Sequence, residues 1–116
     1  MKKILLITTF IILNSSVFLS AQITKTDLIG KWTFVYWMEQ GDESSKRDIN
    51  ILMEFKDDGS VVTYKGNNTE EANYKIEGEK IIYSDKRGSQ LWKIISFEPG
   101  SSFLVNHKGA NMYFQK

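Results

Sequence analysis

The sequence has no cysteine, one histidine and one proline among its 116 residues. Without cysteine there are no disulfides, thiolate nucleophiles, cysteine-based zinc sites or lipidated N-terminal cysteine. The lone His107 leaves little scope for acid–base or metal chemistry. Charge of one sign is also lacking: 15 Lys and Arg face 14 Asp and Glu. So balanced a chain has no field with which to gather nucleic acid or an anionic membrane. What remains is 41% hydrophobic and 13% aromatic residues, enough apolar material for the core of one domain.

The chain opens with Lys2 and Lys3, an apolar stretch from Ile4 to Ile12 broken only by Thr8 and Thr9, and a more polar run ending Leu19-Ser20-Ala21. A basic start, an apolar middle and small residues before a cut are the layout of a secretory signal. A membrane anchor needs roughly 20 apolar residues in a row, and Asn14, Ser15 and Ser16 interrupt this one first. Residues 1–21 are therefore expected to be a signal peptide and residues 22–116 the folded domain, with no transmembrane anchor in the mature chain. Its location would be secreted or periplasmic.

From Lys31 to Glu39 the chain alternates. Trp32, Phe34, Tyr36 and Met38 fall on one face, and Lys31, Thr33, Val35, Trp37 and Glu39 on the other. Successive side chains of a strand face opposite sides, so this predicts a strand with an apolar inner face. Ile49 to Lys56 follows, with Ile51, Met53 and Phe55 inward, then a turn at Asp57-Asp58-Gly59 and a strand from Val61 to Lys65. A polar loop, Gly66 to Glu71, leads to a hairpin of Ala72–Glu77 and Lys80–Asp85, with Tyr74, Ile76, Ile81 and Tyr83 inward. Gln90–Phe97 ends at Pro99-Gly100, and Phe103–His107 pairs with Met112–Lys116 across Lys108-Gly109. Eight short strands joined by turns predict an all-β fold, an eight-stranded antiparallel up-and-down barrel. A short helical turn around Thr26-Asp27 is expected to plug one end, and the long loop Gln40 to Arg47 to fold over the other.

Gly30-Lys31-Trp32 at the head of the first strand, after a helical turn and before a long loop, resembles the opening of small bacterial secreted lipocalin-like domains. Phe55-Lys56-Asp57-Asp58-Gly59-Ser60, Tyr74-Lys75-Ile76-Glu77-Gly78 with Ile81 beyond it, and Trp92-Lys93-Ile94 continue the likeness from Leu28 to Lys116. The chain departs from the family at Glu98-Pro99-Gly100-Ser101, where a further lipocalin motif has no match, and it is much shorter than a typical lipocalin. The resemblance implies that Trp32 packs at the closed end of a barrel beneath Lys116, and that a small apolar ligand sits inside.

Candidate ligand-binding residues are then the inward aromatic and methionine side chains. Trp32, Phe34, Tyr36 and Met38 come from the first strand, Met53, Phe55 and Tyr64 from the next two, and Tyr74, Tyr83, Trp92 and Phe114 from the rest. An eight-stranded barrel is just wide enough to be filled by side chains or to hold one small ligand. The leading expectation is a hydrophobic or amphipathic ligand within the barrel. The alternative is a filled core whose loops, chiefly Gln40–Arg47 and Gly66–Glu71, dock on an envelope protein. Trp37 is read as outward-facing and His107 as a solvated turn residue. Asp57-Asp58 and Glu70-Glu71 are neighbours that would point to opposite faces of a strand, so neither is an acid–base pair. Asn67-Asn68-Thr69 fits a glycosylation acceptor and marks an exposed loop. No catalytic residue, metal site or cofactor is expected, and the protein is expected not to be an enzyme.

Overall fold

Alternation of apolar and polar residues folds this chain into strands whose one face is buried. A computed structural model describes residues 23–116, so the expected signal peptide and its cut after Ala21 lie outside the described residues. Within them, strands β1 (Gly30–Glu39), β2 (Arg47–Phe55), β3 (Ser60–Lys65) and β4 (Asn68–Glu77) are followed by β5 (Lys80–Asp85), β6 (Gly88–Glu98), β7 (Ser102–His107) and β8 (Ala110–Gln115). Each pairs antiparallel with the next, and β8 returns to β1, with Phe114 opposite Phe34, to close the barrel. The up-and-down barrel expected from the sequence is the observed fold.

One end is sealed. Helix α1 (Lys25–Leu28) is a single turn that leads into β1. Its cap is Thr24: the Thr24 backbone N–H donates to Asp27 Oδ2 at 2.9 Å, and the Ile29 N–H closes the turn on the Lys25 carbonyl at 3.0 Å. Leu28 and Trp32 are fully buried, and the indole Nε1–H of Trp32 donates to the Leu28 carbonyl at 2.8 Å. Lys116 Nζ lies 4.8 Å from the centre of the Trp32 ring and donates to the Ile29 carbonyl at 3.3 Å. The lysine over tryptophan implied by the resemblance is thus present.

Above this plug the axis is filled by stacked rings. Phe103 meets Trp32 edge-on at 4.8 Å between centroids, Phe114 stacks on Phe103 at 4.6 Å, Trp92 on Phe114 at 5.5 Å, and Tyr83 on Trp92 at 4.8 Å. Phe55, Val61, Ile81 and Val105 are fully buried beside this column. Each such side chain stabilises the fold by about 1.5–3 kcal/mol through its removal from water.

Two expectations about the chain's course are corrected. Residues 68–71, expected in a loop, begin β4, because Gly66-Asn67 makes a tight hairpin turn and Lys65 already pairs with Asn68. The segment 40–46 does not cover the open mouth. It folds on itself around a 3-10 turn, Glu43–Ser45, with Asp42 Oδ1 accepting from the Ser44 N–H at 3.1 Å. Its last residue, Lys46, lies 4.7 Å from the ring centre of Tyr36, outside the barrel.

Candidate functional site

β1 carries a bulge between Phe34 and Tyr36, and the site depends on it. Phe34 pairs with Ile51 and Phe114, but the next register has Tyr36 opposite Tyr113 and Trp37 opposite Met112 and Arg47. An extra residue in a strand reverses the facing of everything beyond it. Trp37, read from the sequence as outward, therefore faces inward. Tyr36 and Met38, read as inward, face outward, and Tyr36 stacks on the outward Tyr113 at 5.3 Å. Asn50 on the neighbouring strand has φ 55°, a left-handed conformation that lets β2 follow the shift.

The open half of the barrel encloses a cavity of about 510 Å³. That lies within the roughly 300–1,000 Å³ of small-molecule sites. Its wall is formed by Phe34 and Trp37 from β1, Ile49, Ile51 and Met53 from β2, Tyr83, Trp92 and Met112. Thr63 and Gln90 add polar groups, and Gln90 Oε1 accepts from the Trp92 Nε1–H at 2.9 Å. Burial pushes the phenol of Tyr83 above its ordinary value, with the Thr63 hydroxyl pulling the other way. The phenol is thus neutral at physiological pH and adds no charge to the wall.

The mouth is charged. Arg47, Lys65, Arg87 and Glu70 reach the cavity lining, with the imidazole of His107 beside them. Lys65 pairs with Glu70 at 3.3 Å and Arg87 with Asp85 at 3.0 Å, and hydrogen bonds from the Arg87 backbone N–H and then its guanidinium hold the Asp85 carboxyl below the usual range. Arg47 makes no ion pair among the described residues; its guanidinium lies 5.0 Å over the Trp37 ring. His107, expected as a solvated turn residue, is half-buried at the end of β7, its Nδ1 3.3 Å from the Leu91 carbonyl.

Of the side chains expected to line a site, Phe34, Met53, Tyr83 and Trp92 do so. Trp32, Phe55, Tyr74 and Phe114 point inward but belong to the filled half, where the Tyr74 hydroxyl donates to the Lys56 carbonyl at 2.7 Å. Tyr64 is corrected along with Tyr36 and Met38. It lies on the outer surface, donating to Glu54 Oε1 at 2.9 Å, and the smaller Thr63 takes the inner position. That exchange is one reason the upper barrel is hollow. Sequence reasoning missed Ile49, Thr63, Gln90, Met112 and all the mouth charges; Ile49 already shares the face of Ile51 in the expected strand, and a strand drawn back to Arg47 would have added Arg47 to that face. Among the described residues no group of three or more His, Asp or Glu side chains is placed to hold a metal ion.

Neither a protein-family model nor a curated protein matches this chain. Among solved structures it is similar to an uncharacterized protein from Bacteroides eggerthii, with a TM-score of 0.61 at 16% identity, over 77% of this chain and 98% of that one. At that identity the likeness is one of fold.

Proposed function

We propose that the protein is a lipocalin-like binding protein that holds one small hydrophobic or amphipathic molecule in the open half of its barrel, without catalysing a reaction. The observation that carries this reading is the cavity: about 510 Å³, walled by aromatic, aliphatic and methionine side chains, with charged side chains at its mouth. The Gly30-Lys31-Trp32 and Lys116 arrangement at the sealed end supports it, and the basic, apolar start of the chain supports a role outside the cytoplasm. The hollow weighs against a barrel filled throughout and acting only through its loops, since the Gly66–Glu71 loop of that reading is largely strand. Native mass spectrometry of purified protein, with titration of a neutral environment-sensitive dye, tests the proposal. A one-to-one complex with the dye is expected. A barrel that binds no apolar probe and carries no co-purifying molecule would sink it.

A further inference from the structure

We propose that the ligand is an organic anion with a single head, a carboxylate on an apolar body, and that Arg47 holds the head while the body fills the cavity. This rests on the binding reading above and specifies the chemistry of the ligand. The argument is a census of charge around the mouth. Three cations and one carboxylate reach the lining, Arg47, Lys65, Arg87 and Glu70, with Asp85 behind Arg87. Two of the cations are already answered, Lys65 by Glu70 and Arg87 by Asp85. Arg47 is left over. The neighbouring charges on its own strand and loop do not neutralise it: Asp48 is on the opposite face, level with outward Tyr36, and Lys46 is turned onto that same Tyr36 ring. The mouth thus keeps one uncompensated positive charge, although residues 23–116 hold all 14 acidic residues and lack the basic Lys2 and Lys3.

Arg47 is also well posed for a head group. Trp37 supports the guanidinium from one side, so its planar donors remain available to a carboxylate, which accepts two parallel N–H bonds from arginine. Ile49 and Ile51 follow Arg47 on the same face of β2 and lead down into the apolar wall. A chain anchored at Arg47 would run over these residues toward Trp92, meeting no carboxylate after Glu70 at the rim. A cationic amphiphile would instead leave Arg47 facing a like charge.

The test compares three probes of one chain length, decanoate, decanol and decyltrimethylammonium, each displacing the neutral dye N-phenylnaphthylamine. Decanoate is expected to bind about fivefold more tightly than decanol, the size of effect an exposed charge pair supports. The ammonium should bind most weakly. Arg47→Gln should erase the difference between decanoate and decanol, and Arg47→Lys should keep part of it. Equal affinity for decanoate and decanol, or a preference untouched in Arg47→Gln, would overturn the assignment while leaving the cavity reading in place. Failure of every probe to displace the dye overturns the assignment, and failure of the dye itself to bind removes the binding reading. Salt supplies a check that needs no variant: in the wild-type protein it should weaken decanoate and spare decanol, and equal insensitivity would count against Arg47.

Discussion

Lys116 can lie across Trp32 only because residue 30 has no side chain. Gly30 sits at φ +132°, and a Cβ there would meet Lys116 Cε and Nζ at 3.0 Å. Gly30→Ala should destabilise the barrel by about 1–3 kcal/mol from the backbone alone. Displacing the lysine from the ring adds about 0.5–1 kcal/mol, the scale of an exposed cation–π contact. Urea unfolding of Gly30→Ala, Lys116→Ala and the double variant separates these, because only the second part vanishes when Lys116 is gone. Two carboxylates act at the same scale through pH. Asp58 is held below the usual carboxylate value by the hydroxyl and backbone N–H of Ser60, and Asp85 by hydrogen bonds from the backbone and guanidinium of Arg87. A carboxyl whose folded value is depressed stabilises the fold above its unfolded value and loses that contribution as pH falls through the folded one. Stability should hold from neutrality down to about pH 5 and decline below about pH 4. The decline should be shallower in an Asp58→Asn, Asp85→Asn variant, as followed by urea midpoints across an acid series.

At the scale of the element, strands are legible where polar residues fix the phase. In β4, exposed Asn73, Lys75 and Glu77 alternate with inward Tyr74 and Ile76, and the sequence reading holds at each of these positions. In β1, residues 34–38 are Phe-Val-Tyr-Trp-Met, apolar throughout, so nothing in the pattern marks where the bulge exchanges Tyr36 for Trp37. In β3, Tyr64 is expected inside with the other aromatic side chains, but pairing with β2 is set by the Asp58 turn and leaves Thr63 inside. The filled half of the barrel is therefore readable, and so are Phe34, Met53, Tyr83 and Trp92 in the hollow half, whereas the faces that the bulge and the β3 register set are not. Turn chemistry offers a prediction at this scale. Lys108 and Gly109 form the two-residue link between β7 and β8, and both have positive φ, 50° and 85°. A lysine holds that conformation against its own Cβ, whereas asparagine is favoured there in hairpin turns. Lys108→Asn should raise stability by about 0.5 kcal/mol, measured as a shift of the urea midpoint with an unchanged slope.

For the whole molecule, closing β8 onto β1 leaves no strand edge unpaired within the barrel and divides the interior by function. The sealed half, from Leu28 and Trp32 up to Phe114, contains the fully buried large side chains that carry stability. The open half, from Met53 to the charged mouth, has half-buried Phe34, Trp37, Ile51 and Tyr83, whose apolar surface is only partly covered. Such a division should let the two properties be lost separately. Phe103→Ala removes a fully buried ring from the aromatic column and should cost about 3–5 kcal/mol. Whatever fraction stays folded should bind dye, because Phe103 is not in the cavity wall. Ile51→Trp projects a larger ring into the hollow, where there is space to receive it, so stability should change by no more than about 1 kcal/mol. The same ring occupies the volume a ligand needs, and dye binding should disappear. Urea unfolding and dye titration on the two variants should give opposite results. If Ile51→Trp binds dye as the wild type does, the dye sits elsewhere and the hollow half has no claim to be the site.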